Sequence, residues 1–170
     1  WGKSSAAYAL LMASLPDANN EALDALRQFL DAARAVEGPE AARVRGQTLE
    51  QIAERSTGST ASRSRLEAAR SYADGGDAAA ARRMLALLAA DGSTPPDMAA
   101  GATATLVTVL LREGQVAEAE RQLGELRTTL GEENAGRLTQ QVAEGWIHQG
   151  NLDRAQAVLA NDSTVDALAY

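Results

Sequence analysis

A pattern that recurs three times along the chain constrains its fold more than any other feature of the sequence. Each copy has a large apolar residue four positions before a glycine, an alanine five positions after it and a leucine nine positions after it. The glycines lie 38 and 36 residues apart. The copies are Tyr72, Gly76, Ala81 and Leu85; then Leu110, Gly114, Ala119 and Leu123; then Trp146, Gly150, Ala155 and Leu159. A repeat of this length is typical of stacked supersecondary units.

The spacing within each copy predicts a hairpin of two antiparallel helices. A glycine lets the chain leave the first helix in a left-handed conformation that a β-carbon would resist. The second helix then begins two or three residues later, with the alanine where the two backbones approach and the leucine on the same face. One such hairpin cannot bury its apolar face alone, whereas stacked copies bury a continuous core. We therefore expect an all-α fold, an α-α superhelix or solenoid of antiparallel hairpins.

Helical periodicity extends over most of the chain, and no segment alternates apolar and polar residues as a half-buried strand does. Pro16 ends the first helix, since proline disfavours helical geometry at the residue before it. Gly38 and Pro39 separate two further helices, and Asp97 is the expected N-cap after a loop over residues 91–97. About nine helices are predicted, over residues 3–15, 20–37, 39–55, 60–74, 77–90, 97–113, 115–129, 133–149 and 151–160.

Residues 150–155 (GNLDRA) resemble the junction between the two helices of a tetratricopeptide repeat (TPR). Residues 114–119 are similar, and residues 76–81 form a more degenerate copy. The resemblance covers about three repeats over residues 62–161. These repeats are longer than the 34 residues of the family, and the tryptophan of the family's first helix is absent at Arg65, Thr103 and Thr139.

We expect a single solenoid domain over residues 1–170, with divergent helices in residues 1–58 and three TPR-like hairpins in residues 60–161. Residues 162–170 are expected to start a further helix, because a capping-box spacing occurs there. The sequence starts at Trp1 without an initiator methionine or a recognisable signal peptide, so we expect it to be a piece of a longer protein.

Gly38 lies 38 residues before Gly76 and could mark a fourth hairpin. The expected alanine and leucine positions fall instead on Arg43 and Gln47, so the register does not continue. We interpret the first 58 residues as a divergent or capping repeat.

Composition excludes several classes of site. The chain has no cysteine, which excludes disulfides and thiolate metal sites, and its single histidine excludes a multi-histidine metal centre. Its net charge of −7 argues against a broad nucleic-acid or anionic-membrane surface, and no apolar run approaches the length of a membrane span. We therefore expect no cofactor, no metal, no nucleic-acid partner and no direct membrane insertion.

Alanine accounts for 37 of the 170 residues, and fifteen of the sixteen basic residues are arginine. The alanine content favours close helix packing, and together the two biases suggest a bacterial origin. The compartment, cytoplasmic or periplasmic, and the oligomeric state stay open.

Catalytic signatures are absent from the sequence, with no phosphate-binding loop, dinucleotide-binding turn or serine elbow. His148, with Glu144 one turn back, is the one combination that could serve acid–base chemistry. A surface histidine near a helix C-terminus is the favoured interpretation, because the helix dipole stabilises positive charge there. We therefore expect no catalytic residue.

The TPR resemblance implies that the first helix of each hairpin lines a concave groove. The matching positions are Arg63, Arg70, Asp74, Thr108, Arg112, Arg137, Gln140, Glu144 and His148. Four of these nine are arginines, whose guanidinium groups suit carboxylates. We therefore predict a groove for an acidic or C-terminal peptide, with solvated arginines on ordinary helix faces as the alternative. The candidate partner-binding residues are Arg63, Arg70, Arg112, Arg137, Gln140, Glu144 and His148.

The function that the sequence favours is a non-catalytic scaffold that binds a partner protein or peptide in a concave groove. A structural or regulatory helical segment of a larger bacterial export, secretion or signalling protein is the alternative. An enzyme domain built on a helical toroid or bundle is a third hypothesis, weakened by the lack of clustered acid–base residues.

Overall fold

Nine α-helices form the regular structure of residues 3–130 and 135–160, the part of the chain that the computed structural model describes, and that part contains no strand. The helices are α1 (Lys3–Ala13), α2 (Asn19–Arg34), α3 (Pro39–Glu54), α4 (Gly58–Asp74), α5 (Ala78–Ala90), α6 (Pro96–Arg112), α7 (Val116–Leu130), α8 (Gly136–His148) and α9 (Leu152–Ala160). The prediction of an all-α fold with about nine helices is confirmed for these residues. The start of the helix predicted at 133 and the one predicted in 162–170 lie outside them.

Contacts between residues divide the chain into two compact units, Trp1–Ala99 and Ala100–Tyr170. The first unit contains α1 to α5, and the second contains α6 from Ala100 onward together with α7, α8 and α9. The expectation of a single domain stays a prediction.

The three repeat glycines end their helices in the same way. Gly76, Gly114 and Gly150 have φ angles of 74°, 73° and 78°, in the left-handed region. The N–H of the following residue donates to the carbonyl of the large apolar residue, over 2.8 Å from Asp77 to Tyr72, 2.9 Å from Gln115 to Leu110 and 2.9 Å from Asn151 to Trp146. This is the Schellman geometry, in which the accepting carbonyl belongs to the residue four positions before the glycine.

The residue after the glycine also starts the next helix. The Asp77 carboxylate accepts the N–H of Ala80 at 3.0 Å, and the Asn151 side chain accepts the N–H of Arg154 at 3.1 Å. Both are N-cap bonds. One short segment therefore closes the first helix and opens the second, which defines the hairpins α4–α5, α6–α7 and α8–α9.

The small repeat residues lie in the cores, as expected. Ala81, Ala119 and Ala155 are at most 3% exposed. The large apolar residues and the leucines of the repeat are buried as well, except Trp146 and Leu159, which are partly buried against the core of the second unit. The three glycines are exposed. That core contains mainly Val107, Leu110, Val116, Leu123, Leu126, Leu138, Val142 and Val158.

Tyr72 joins three helices of the first unit. Its hydroxyl donates to Glu50 of α3 over 2.5 Å, and the guanidinium of Arg83 on α5 donates to both oxygens of the same carboxylate at 3.0 Å. Burial raises the pKa of the Tyr72 hydroxyl well above its ordinary value, and the hydrogen bond to Glu50 raises it further. A buried hydroxyl is thereby satisfied without leaving a carboxylate unpaired.

Trp146 repeats this arrangement in the second unit. Its indole N–H donates to Glu120 of α7 at 2.9 Å, and the same carboxylate oxygen accepts from Arg154 of α9 at 3.0 Å. In both units, then, the aromatic repeat residue reaches a glutamate of the preceding helix that an arginine of the following helix also binds.

The junction between α2 and α3 differs from the others, and α2 ends at Arg34 instead of the predicted residue 37. Gly38 has φ 105° and ψ 164° and is the N-cap of α3, with Pro39 at the first helical position. The guanidinium of Arg45 donates to the carbonyls of Ala33 and Val36 at 3.2 and 2.8 Å, so a side chain caps α2 where a glycine caps the later hairpins.

The start of α6 also differs from the prediction. The helix begins at Pro96, so Asp97 lies in its first turn and is not the N-cap. Proline suits the first helical position because its missing N–H would have no partner there, and the carboxylate still lies at the positive end of the helix dipole.

Candidate functional site

A cleft in the first unit lies where α2, α3 and α4 meet, with a volume of about 200 Å³. Its lining consists of Leu30, Arg34, Arg45, Leu49, Glu67, Arg70 and Ser71. Leu30 and Leu49 are 6% and 5% exposed and form an apolar floor. Three arginines against one glutamate make its edge cationic, although the whole chain carries a charge of −7.

The three arginines of this cleft differ in how strongly they are held. Arg45 is bound to the carbonyls that end α2. Arg34 pairs with Asp31 at 2.9 Å, but both side chains are at least 60% exposed, so the pair is weak. Arg70 is exposed and has no hydrogen-bond or ion-pair partner within residues 3–130 and 135–160. Arg70 is therefore the most available cation for an anionic ligand.

Among the predicted residues of the first unit, only Arg70 lines this cleft. Arg63 is exposed on α4, two turns before Arg70 and on the same face of the helix, outside the lining. Arg34 on α2 and Arg45 on α3 were not predicted, because these helices lie outside the three repeats with a clear register. The sequence does show that α2 and α3 carry basic residues, but whether these residues meet at one cleft depends on how the two helices pack.

A second cleft, of about 280 Å³, lies between α6 and α8 in the second unit. It is lined by Thr108, Leu111, Arg112, Gln141, Glu144, Gly145 and His148. The structure thus brings together four of the projected groove positions: Thr108, Arg112, Glu144 and His148. Arg137 and Gln140 are exposed on α8 but do not line the cleft, whereas Gln141 and Gly145 do so and were not predicted.

The chemistry of the second cleft suits hydrogen bonding to a ligand. Glu144 and His148 are exposed one turn apart, as the sequence spacing implies. The hydroxyl of Thr108 donates to the carbonyl of Ala104 at 3.2 Å, so it is already engaged with its own helix. With one glutamate against one arginine, this cleft is close to neutral when His148 is neutral, unlike the cationic cleft of the first unit.

Neither a metal-binding cluster nor a membrane-spanning helix occurs in the described part of the chain. No three histidine, aspartate or glutamate side chains there are grouped so that they could hold a metal ion. No helix there is both long enough and apolar enough to cross a bilayer. Comparison of the chain with protein-family models, with curated proteins and with solved structures found no match.

Proposed function

We propose that the chain is a non-catalytic interaction module of the TPR-like type, and that it holds an acidic segment of a partner protein or peptide. The observation that carries this proposal is the first-unit cleft, in which a cationic edge surrounds an apolar floor. Arg70 is the arginine of this edge that is left to bind an anion, and a local positive charge on a chain of net charge −7 favours an acidic ligand at this place.

The ligand chemistry follows from the lining. Leu30 and Leu49 would take one apolar side chain of the segment, since burial of apolar surface favours binding. Arg70 would bind a carboxylate beside it with paired N–H donors. Arg34 could contribute by exchanging its exposed partner Asp31 for the ligand, because an exposed ion pair costs little to break.

The second-unit cleft supports the same function with different chemistry. Arg112 supplies a guanidinium, Glu144 a carboxylate, and Gln141 an amide that can both donate and accept hydrogen bonds. Such a lining suits the polar backbone of an extended peptide. Arg137 and Gln140, exposed nearby on α8, stay candidates for contact with a longer partner.

The repeated junction supports the TPR-like assignment. Three hairpins share one capping geometry, and small residues lie where their helices meet. Helical repeats present extended surfaces for partner chains, which accords with a binding role.

Fluorescence anisotropy with labelled acidic peptides, each carrying one leucine or phenylalanine, tests the proposal. We expect Arg70→Gln to weaken binding about tenfold, because charge-assisted hydrogen bonds are strong. The matched control is Arg27→Gln, which removes an exposed arginine of α2 outside the cleft. Equal affinities for the wild type and Arg70→Gln would reject the first cleft as the site, and Arg112→Ala and Arg137→Ala test the second unit in the same way.

A further inference from the structure

A partly buried glutamate without a partner lines the cleft of the first unit. Glu67 lies on α4, and its carboxylate forms no hydrogen bond or ion pair with any residue in 3–130 and 135–160. Removing a charge from water costs free energy when the protein offers nothing in place of the lost hydration. A carboxylate left in this state therefore calls for a physical reason.

Every other partly buried carboxylate in the described part of the chain has a partner. The donors to these groups are backbone N–H groups, hydroxyls, an indole and guanidinium groups. The bonded carboxylates belong to Glu40, Glu50, Asp77, Asp91, Glu118 and Glu120. Glu67 is thus the exception among seven, and it lies in a cleft. Its unpaired state is a property of this place and not of the acidic residues of the chain in general.

An unpaired arginine accompanies this glutamate. Glu67 and Arg70 stand three residues apart on one face of α4, and both line the cleft. Their β-carbons are about 5–6 Å apart at this spacing, yet the two side chains do not pair with each other. One turn of α4 therefore presents a free carboxylate and a free guanidinium, and Ser71 adds a hydroxyl group beside them.

The remaining charged groups of the cleft are already engaged, since Arg45 caps α2 and Arg34 has its own carboxylate partner. What stays free is one cation and one anion, next to the apolar floor. A uniformly acidic ligand would satisfy Arg70 but would place like charge against Glu67, which costs affinity. A ligand with both signs of charge would satisfy both groups.

We propose that Glu67 selects the ligand of this cleft, and that the bound segment carries a basic side chain close to its acidic one. The inference rests on the proposed function, in which Arg70 binds the acidic residue of the segment. Glu67 then binds a lysine or arginine of the same segment, while the apolar side chain lies on the floor formed by Leu30 and Leu49. Purely acidic segments are disfavoured, because they leave the charge of Glu67 without a partner.

Fluorescence anisotropy with three labelled peptides tests this selection. Each peptide has one aspartate followed by one leucine, and the residue after the leucine is lysine, glutamine or glutamate. The reversed order is used as well, so that either direction of the bound chain is sampled. We expect the wild type to bind the lysine peptide at least about threefold more tightly than the glutamine peptide, and the glutamate peptide at least about threefold more weakly.

Glu67→Gln should bind the lysine and glutamine peptides with affinities within about twofold of each other. Glu67→Lys should reverse the preference and bind the glutamate peptide more tightly than the lysine peptide. The matched control is Glu21→Gln, which removes an exposed carboxylate of α2 outside the cleft and should keep the wild-type preference. Urea unfolding should give Glu67→Gln a midpoint no lower than that of the wild type, because no bond within the chain is lost.

A preference for lysine that survives Glu67→Gln, or no such preference in the wild type, would overturn this inference. The proposed function would still stand if Arg70→Gln weakens the binding of all three peptides. If Arg70→Gln changes none of the affinities, the proposed function is wrong and the inference fails with it. No binding of any peptide at about 1 mM would reject both. A lower unfolding midpoint for Glu67→Gln would show that the chain itself uses this carboxylate, and it would overturn the inference alone.

Discussion

The ring of Tyr72 on α4 lies against the backbone of Gly46 on α3. A β-carbon at Gly46 would lie 2.8 to 2.9 Å from three atoms of that ring. The ring has little freedom to withdraw, since its hydroxyl is bound to Glu50 and that carboxylate is bound to Arg83. The glycine therefore sets how closely α3 and α4 approach.

We predict that Gly46→Ala destabilises the protein by about 1–3 kcal/mol, the usual cost of overpacking. The matched control is Gly124→Ala in α7, where an added β-carbon meets no atom within 4 Å. That change should raise the free energy of unfolding by up to about 1 kcal/mol, because alanine favours a helix over glycine. Urea unfolding measures both, and stabilisation by both changes would contradict the contact between Gly46 and Tyr72.

Gly114→Ala should lower the free energy of unfolding by about 1 kcal/mol or more, because alanine resists the positive φ of 73° at this position. No atom lies within 4 Å of the added β-carbon, so the cost is purely conformational. Gly92→Ala, in a loop without positive φ and with equal space, is the control and should change stability by less than about 0.5 kcal/mol. Thermal unfolding followed by circular dichroism compares the two.

Ala119→Leu should cost about 1–3 kcal/mol, since Ala119 is fully buried where α7 meets its neighbours. Ala155→Leu, at the equivalent position of α9, should behave alike. Ala117→Leu places the same side chain on the exposed side of α7 and should have little effect. If the melting temperature is unchanged in both buried variants, the helix contacts described here are wrong.

Alkaline pH should destabilise the protein through Tyr72. Its pKa in the folded protein is raised above the ordinary value of 10.0, so the hydroxyl ionises more readily in the unfolded chain. The resulting stability is complete below about pH 10 and falls as the pH rises above it, by about 1.4 kcal/mol per pH unit for one proton. Tyr72→Phe should remove this contribution to the fall of the free energy of unfolding with pH.

Urea unfolding of wild type and Tyr72→Phe between about pH 8 and 11 measures the effect. Below about pH 10 the two free energies should run parallel, offset by the lost hydrogen bond to Glu50. If the free energies of unfolding of wild type and Tyr72→Phe stay parallel above that pH, the Tyr72 hydroxyl ionises equally in the folded and the unfolded chain.

The helices and the glycine-capped ends of α4, α6 and α8 could be predicted from the sequence, because capping bonds join residues only a few positions apart. The left-handed glycines at 76, 114 and 150 belong to this class. The end of α2 could not be predicted, since Arg45 from the next helix caps it. A side chain that arrives from another helix leaves no local signal.

The sequence by itself therefore determined the all-α class, the approximate positions of the helices and the glycines that end the first helix of each repeated hairpin. Only the tertiary structure decided that Arg34 and Arg45 join Arg70 over one apolar floor, and that Gly46 faces Tyr72. It also decided that Val116 is covered while Leu152 is exposed, although both stand two residues after a repeat glycine. The physical reason is that burial and charge clustering depend on which helix packs against which, a relationship between residues far apart in the chain.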